Sequence, residues 1–568
     1  MSAKLPPSTR VLQCRDLLVE IFGHLSPELL PPRTGFLRPG QRQNLHRDTL
    51  AASARVCKAF LDPALDVLWH TLDDVSTLLE LVPSFETYVR DSKYLSMIER
   101  AITPTEWERI YSCAKRVREL RSTAYIRRTH PSVWLVLEDL CKGSPLFPRL
   151  RRIAISIDCQ APHGAMFLLS PSLETVQLSF HRLYDPDPSV TVEGQCAAGM
   201  LLGLISSRLP KLSSLTISDG LLDLEPSHLD SVARFSQLRI LHLQHSGAVV
   251  ENSTLQLISR LPALRVVDFA LCLTDADEDT PLVFGDAFRG VREAGFKGDL
   301  EDLVQVFKAT SWESLTKLSL VGMTGTSSAD EMRDGIAAIC SKLPPTLRSV
   351  VLHLDDAIPR PTVSVLHFFQ PLLSFSQLNS FKAGLPKYIP SVSDEDLCAF
   401  ATAWPLLEAF SLTHNMSKVV QVGPPDMVPV YHPTVLGLLA FARHCPRLEV
   451  LTLPAVNVYT LPSPNSIPAI GHTTLRHLFV DELCGGDRAN LLCLAVILDL
   501  LFPSLQVTRE VQLPTQQAPT YHTYDVFGMQ KNRDAWELTR KLVGTIQARR
   551  EHKGPEDAHL LAERLATS

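Results

Sequence analysis

Three short runs with the apolar period of an α-helix occupy the start of the chain. The first run follows Arg15 and ends before Pro27, and its apolar residues are Leu17, Leu18, Ile21, Phe22 and Leu25. The second run follows Asp48, a suitable N-cap, and its apolar side is formed by Leu50, Ala54, Cys57 and Leu61. The pattern therefore predicts two amphipathic helices before residue 62.

A proline interrupts the apolar pattern at position 63. Asp62 can cap a new helix while Pro63 takes its first position, where a missing amide hydrogen costs nothing. We therefore predict that a third helix begins at Pro63, with an apolar face formed by Ala64, Leu65, Leu68, Trp69 and Leu72. Three helices this short cannot bury all of that surface among themselves, so a partner or the rest of the chain must cover part of it.

A capping box opens the next helical segment. Thr103 can serve as N-cap, with Pro104 at the first helical position and Glu106 at the third. The pattern predicts a helix within residues 103–120, which we interpret as part of a helical linker.

A leucine phrase recurs from Leu150 onwards. The copies follow the template L-x-x-L-x-L, with other apolar residues at many of the later leucine positions, and most have proline or an aromatic residue two or three positions upstream. The first leucine of each phrase, here called its anchor, is Leu150, Leu173, Leu212, Leu238, Leu264, Leu315, Leu347, Leu378, Leu407, Leu448 or Leu475. Most anchors lie about 23–32 residues apart, with some longer gaps, and this spacing is typical of leucine-rich repeats.

The repeat predicts an α/β solenoid with parallel strands inside and helices outside. The end of each phrase forms a strand, and segments such as residues 391–404 return as helices. The polar turn residue of regular repeats is present at Asn415 and Cys272 but mostly absent elsewhere, so we expect an irregular array. A helical run over Leu491–Leu505 is expected to cap its end, followed by an amphipathic helix marked by Trp536, Val543 and Ile546.

These patterns divide the chain into four parts. We predict a helical module over residues 11–72, a helical linker over 73–145, the solenoid over 146–506 and a C-terminal segment over 507–568.

Composition and charge narrow the possible partners. The net charge of -6 is spread over interspersed acidic and basic residues, which does not favour nucleic acid as a partner. The N-terminus lacks the apolar region of a signal peptide, and the apolar run over residues 491–502 is too short to span a bilayer. The 12 cysteines include no C-x-x-C pair and fit reduced thiols. We expect a soluble intracellular protein, cytoplasmic or nuclear, without a membrane partner.

The usual catalytic and metal motifs are missing from the sequence. The nearest calcium loop, Asp275, Asp277, Asp279 and Asp286, has Thr280 where the sharp turn needs glycine. His444 beside Cys445, and His242 near His245, lack further zinc ligands. Cys57 falls on an apolar helix position, which favours a buried inert thiol over a nucleophile. We expect no enzyme activity, no metal and no cofactor.

Strand alternation indicates which repeat residues could contact a target. Residues between the last two apolar positions of each phrase project away from the buried leucines. They are Gln177, Thr216, His242, Asp268, Ser319, Val351, Lys382, Ser411, Thr452 and Phe479. This mixed set suits a protein surface, although the same residues could simply face solvent.

Residues 11–72 resemble the F-box, the three-helix module by which substrate receptors dock onto the Skp adaptor of Skp–cullin–F-box ubiquitin ligases. The similar text is Leu12, LLVEIF, Leu50, VCKAF and the final Leu68–Trp69 pair, while Gln13 and the long connection from Ser26 to Arg47 depart from the family. The segment after the F-box-like residues resembles the sequences of F-box proteins abundant in mushroom-forming fungi. The similar residues are Ile-Thr-Pro, a Trp and Ala-Lys-Arg-Val-Arg-Glu-Leu. The resemblance implies adaptor contact at Leu12, Leu17, Leu18, Ile21, Leu25, Leu50, Val56, Cys57, Phe60, Leu68 and Trp69.

The resemblance implies a non-catalytic substrate receptor, joined through the adaptor to a cullin, whose solenoid holds an unknown target protein. The alternative is a freestanding leucine-rich scaffold in which the N-terminal helices only cap the array. Full burial of Leu68 and Trp69 against the repeats would favour this alternative. An enzyme with an unrecognised site is a third possibility.

Overall fold

The chain forms two compact units, Met1–Ala270 and Leu271–Ser568. The computed structural model describes residues 14–26, 39–90, 93–122, 129–158, 163–181, 188–218, 226–243, 249–273, 284, 287–325, 328–355, 363–386, 391–414, 431–468, 470–485, 487–506 and 529–553. Several residues discussed above lie outside the described residues: Leu12, Gln13, His245, Asn415 and the four aspartates of the calcium-like loop.

The first unit begins with a three-helix module, here called the N-terminal module. Its helices are α1 (Arg15–Gly23), α2 (Pro39–Ala54) and α3 (Lys58–Leu68). Its small core consists of Leu18, Phe22, Leu50, Ala54 and Ala64. Three helices are present as predicted, but α2 begins at Pro39 and not after Asp48, and the boundary between the second and third helices was predicted wrongly.

Pro63 lies inside α3 and does not begin it. The chain leaves α2 through a tight turn in which the Arg55 and Val56 amides donate to the carbonyls of Ala52 and Ser53. Cys57 then takes an extended conformation and precedes α3. Because proline lacks only its own amide hydrogen, α3 loses one backbone bond at this point, and the burial of Pro63 in the module offsets that loss.

The rest of the first unit alternates strands and helices. Its strands are β1 (Thr71–Leu72), β2 (Phe85–Arg90), β3 (Lys93–Ile98), β4 (Glu119–Ser122), β5 (Arg152–Asp158), β6 (Thr175–His181), β7 (Ser214–Ser218), β8 (Ile240–His242), β9 (Val249–Val250) and β10 (Val266–Leu271). Its further helices are α4 (Val75–Leu79), α5 (Pro104–Ala114), α6 (Pro131–Cys141), α7 (His163–Leu168), α8 (Pro188–Arg208), α9 (Pro226–Leu229), a 3-10 turn (Asp230–Arg234) and α10 (Asn252–Ser259). The parallel sheet has the order β1-β4-β5-β6-β7-β8-β10, β9 pairs with β10, and β2 and β3 form a separate antiparallel hairpin.

The second unit continues the same alternation. Its strands are β11 (Glu293–Asp299), β12 (Lys317–Thr324), β13 (Ser349–Leu354), β14 (Ser380–Leu385), β15 (Ala409–His414), β16 (Val450–Asn457) and β17 (His477–Cys484), which pair in parallel in that order. Its helices are α11 (Leu300–Ala309), α12 (Ala329–Cys340), α13 (Val365–Phe369), α14 (Asp394–Ala403), α15 (Val435–His444), α16 (Arg488–Leu501) and α17 (Met529–Lys553), with 3-10 turns at Gln370–Ser374 and Pro464–Ser466.

The leucine phrases form the repeat that the sequence predicted. A strand begins shortly after every anchor leucine. In most repeats the anchor amide donates to the carbonyl three residues upstream, as Leu150 does to Phe147. The carbonyl after the anchor then accepts two amides of the next repeat: Arg118 accepts those of Arg151 and Arg152 at 2.8 and 3.1 Å. Each unit is therefore an α/β array of leucine-rich-repeat type, as predicted.

Three further repeats lack the leucine phrase and were missed. Strand register puts Val117 at the anchor position before β4, Val291 before β11 and Trp69 before β1. The segment 73–145, predicted to be a helical linker, thus contains strand β4 of the main sheet as well as the β2–β3 hairpin. Within it, the Thr103–Glu106 capping box is present as predicted, but α5 ends at Ala114.

The second unit has an aromatic core and a C-terminal cap. Its largest aromatic cluster includes Phe381 and Trp404, whose ring centroids lie 4.9 Å apart. Helix α17 packs on α16 and β17 and buries Trp536, Thr539 and Val543. Its Arg550 bonds Asp499, which lies in α16, with 2.9 Å between Nη1 and Oδ1. No helix in the described part of the chain is both long and apolar enough to cross a membrane.

Candidate functional site

The N-terminal module exposes apolar side chains that its own core does not cover. Leu17 is 46% exposed, Ile21 49% and Val56 68%. On α1, Leu17 and Ile21 are four residues apart and share one flank, whereas Leu18 and Phe22 point into the core. We call Leu17 and Ile21 the exposed apolar face of the module, and Val56 is a further exposed apolar residue in the turn after α2.

The other predicted adaptor contacts lie at different depths. Leu25, Phe60, Leu68 and Trp69 are half-buried, and Phe60 packs edge-on against Phe22 with 5.4 Å between ring centroids. Leu18 and Leu50 are almost fully buried in the module core, so they support the surface but do not belong to it. Direct adaptor contact at these two leucines is incompatible with this arrangement.

Cys57 differs from its prediction. It is exposed, because it lies in the turn between α2 and α3 and precedes the first turn of α3. The sequence placed it on the apolar side of a continuous helix and therefore predicted a buried thiol.

Trp69 joins the module to the repeats. It follows α3 directly, and its amide donates to the Leu65 carbonyl at 3.0 Å. The next carbonyl, that of His70, accepts the amides of Arg118 and Glu119, which is the bond pair that follows most anchors. Trp69 is thus both the end of the module and the anchor of the first repeat, yet it remains half-buried.

The predicted target-binding residues form one row within each unit. In the first unit, Gln177, Thr216, His242 and Asp268 are successive partners across neighbouring strands. In the second, Ser319, Val351, Lys382, Ser411, Thr452 and Phe479 are aligned in the same way. Target binding at these rows stays a prediction.

The rows offer few charged contacts. His242 lies beside Asp268, with 3.5 Å between Nδ1 and Oδ2. Thr452 is only 7% exposed, and its hydroxyl has no hydrogen-bond partner in the described part of the chain. Thr452 is therefore closed to a target in this conformation, while Gln177 and Lys382 are exposed.

Sequence reasoning did not find the buried histidine at the end of β15. Both ring nitrogens of His414 are buried without a hydrogen-bond partner among the described residues. Burial, and secondarily the charge of His432, lowers the pKa of His414 to about 4. Burial also lowers the pKa of His432, while Glu482 acts in the opposite direction. No sequence motif marks His414, because His432, whose charge lowers its pKa, comes from a separate segment.

Of the zinc candidates, His245 lies outside the described residues, and Cys445 bonds backbone carbonyls. Cys445 is buried, and its thiol donates to the carbonyls of Ala401 and Trp404 at 3.5 and 3.6 Å. Burial raises the pKa of Cys445 to about 12, so the thiol is protonated at neutral pH. Within the described ranges, no group of three or more His, Cys, Asp or Glu residues is arranged to hold a metal ion.

Comparisons with known proteins give distant structural likenesses. No family model matches the chain, and no curated protein matches it either. Among solved structures, the yeast Rad7 and Elc1 complex is similar at 11% identity and a TM-score of 0.32, covering 75% of this chain and 94% of that chain. The mouse RP105/MD-1 complex is similar at 11% identity and a TM-score of 0.30, covering 66% and 69%. Both TM-scores are too low to support the fold. The strand order and the leucine repeat alone support it.

Proposed function

We propose that the chain is a non-catalytic substrate receptor of a Skp–cullin–F-box type ubiquitin ligase. The N-terminal module docks onto the Skp adaptor, and the repeats bind a target protein. The single observation that supports docking most directly is the exposure of Leu17 and Ile21 on one flank of α1. These two aliphatic side chains lie at positions that resemble the adaptor contacts of the F-box family.

An exposed apolar flank on so small a module favours a protein partner. Contiguous apolar surface rimmed by polar residues marks interaction sites on soluble proteins. The core cluster described for the module contains five side chains, and Leu17, Ile21 and Val56 are stabilised further only if another surface covers them.

The proposed contribution to ubiquitin transfer is proximity. A target held on the repeats would raise the effective concentration of its lysines near a conjugating enzyme carried by other subunits. No residue of this chain forms a covalent intermediate in this proposal.

We expect Ile21→Asp to weaken adaptor binding about tenfold or more, because a charge would be buried in the interface. The measurement is titration of the purified chain with a purified Skp adaptor. Val19→Asp is the matched control: Val19 is 39% exposed on the same helix, but it lies on the opposite flank from Leu17 and Ile21. We expect Val19→Asp to bind like the unmodified chain.

Trp69→Ala is less selective, since Trp69 belongs to both the module and the first repeat. The unfolding midpoint of the Trp69→Ala variant must therefore be measured together with its adaptor binding. If the unmodified chain does not bind the adaptor, or if the Ile21 and Val19 variants bind equally well, the ligase proposal is wrong.

A freestanding scaffold is the second candidate, and the position of Trp69 as first anchor favours it. In that case the module is only the N-terminal cap of the array. However, Leu68 and Trp69 are half-buried and not fully covered by the repeats. A chain that binds no adaptor, but in which Ile21→Asp leaves stability unchanged, would fit this candidate.

A further inference from the structure

Arg116 connects the repeats to the N-terminal module. It lies between α5 and β4, and its guanidinium contacts two carboxylates of α3. Nη2 donates to Oδ1 of Asp62 at 2.6 Å, and Nη1 donates to Asp66 and to the Asp62 carbonyl. Only 19% of the Arg116 side chain is exposed.

The same carboxylates extend the contact to α1. Asp66 accepts from Arg15 through its other oxygen, with 3.1 Å between Arg15 Nη2 and Oδ2. Arg116 therefore belongs to a network that includes α1, α3 and the start of β4. A separate ion pair joins Arg47 of α2 to Asp73, which follows β1.

The chemistry of the contact favours a fixed geometry. Asp62 and Asp66 are four residues apart and so lie on the same side of α3. A planar guanidinium can bond both carboxylates at once, whereas a lysine ammonium would act as a point charge without a preferred plane.

We propose that Arg116 is a positioning residue that fixes the orientation of the N-terminal module relative to the first repeats. The covalent connection alone passes through Trp69 and His70 at one end of α3 and would permit rotation about that point. In addition to the Arg47–Asp73 ion pair, Arg116 supplies a point of attachment near the middle of α3. Arg116 keeps the exposed apolar face in a constant direction relative to the repeats that follow it. Only the use of that direction for adaptor docking rests on the proposed function.

The test measures orientation without any partner. Two dyes are attached to p-acetylphenylalanine introduced at exposed Glu20 on α1 and at exposed Lys211 before β7, and the distance distribution is obtained from single-molecule energy transfer. We expect Arg116→Ala to broaden this distribution about twofold, since the bonds that attach α3 to the first repeats have been removed. Arg116→Lys should give an intermediate width, and Asp62→Ala should add nothing to Arg116→Ala, because Asp62 bonds Arg116.

Arg100→Ala is the matched control. It breaks an ion pair of similar length, 2.8 Å between Arg100 Nη2 and Glu106 Oε1, that lies entirely outside the module. It should leave the distance distribution unchanged. Adaptor affinity of Arg116→Ala should stay within about twofold of the unmodified chain, because Leu17 and Ile21 are intact. A general loss of structure would lower adaptor affinity as well.

An unchanged width in Arg116→Ala, or equal broadening in Arg100→Ala, would overturn the proposal. Should Arg116→Ala fail to fold, the milder Asp62→Asn and Arg116→Gln variants provide the same comparison. Failure of the unmodified chain to bind the adaptor would remove the proposed ligase role but would leave the distance measurement, and hence the role of Arg116, intact.

Discussion

At the scale of single residues, burial explains where sequence patterns succeed and fail. The anchor leucines could be predicted because each one repeats the same phrase, and anchors such as Leu150 and Leu173 are fully buried. Val117 and Val291 are equally buried at the anchor position, but they are valines and not leucines. The leucine pattern therefore missed their repeats. Thr452 was predicted to face solvent, and strand alternation alone does not indicate what covers a strand's other face.

His414 gives a prediction that depends on pH. Its pKa is about 6.5 in the unfolded chain and about 4 in the folded one, so the unfolded state binds more protons between these values. The free energy of unfolding should therefore fall as pH decreases from about 6.5 to about 4, by up to about 1.4 kcal/mol per pH unit. We expect His414→Leu to lose less stability over this range, measured by urea unfolding at several pH values.

His444→Leu is the control for this measurement. His444 is exposed in the same unit, so its replacement should leave the steep pH dependence in place. A His414→Leu profile parallel to that of the unmodified chain would show that His414 is not responsible.

At the scale of elements, helices α14 and α15 pack closely because Gly437 has no side chain. Gly437 lies in the first turn of α15, where its amide donates to Oδ1 of Asp394 at 2.9 Å. A Cβ at this position would come within 2.6 Å of Leu397 Cδ1, and within 2.9 Å of that same carboxylate oxygen. We expect Gly437→Ala to destabilise the fold by about 1–3 kcal/mol, measured by chemical denaturation.

Gly203→Ala is the opposite case on α8. A Cβ there meets nothing within 4 Å, so the substitution should stabilise the helix by about 0.5–1 kcal/mol. Equal effects of the two substitutions would contradict the close approach of α14 and α15.

Element boundaries were less predictable than the elements themselves. The helix over residues 391–404 was predicted from its pattern, and α14 is found there at Asp394–Ala403. Asp62–Pro63 looks like a helix start because local rules favour proline in the first turn. Tertiary burial of Pro63 outweighed that preference, and a turn without glycine ended α2 instead. In the candidate site, the exposure of Leu17 and Ile21 depends on which flank of α1 the core takes, which the apolar stripe alone does not specify.

At the scale of the whole molecule, the array needs protection at its last strand. Strand β17 has a neighbour in the described sheet only on its β16 side, and α17 packs beside it. An uncovered strand edge is a template for pairing with another chain. We expect deletion of residues 529–568 to cause concentration-dependent self-association, measured by sedimentation velocity.

Deletion of residues 554–568 alone is the control, because it retains α17 and the bond from Arg550 to Asp499. It should leave the chain in the same state of association as the unmodified chain. If both truncations behave alike, α17 is not the protecting element.

The position of Trp69 also has a consequence for synthesis on the ribosome. Helices α1 to α3 can collapse as soon as they emerge, since the module core is complete at Ala64. Trp69 and His70 receive their strand partners only when Val117 to Glu119 have been made, nearly fifty residues later. At about 5–20 residues per second, the exposed apolar face is therefore present for seconds before its orientation is set. An adaptor that bound the chain at that stage would contact folded docking helices whose orientation relative to the repeats is not yet fixed.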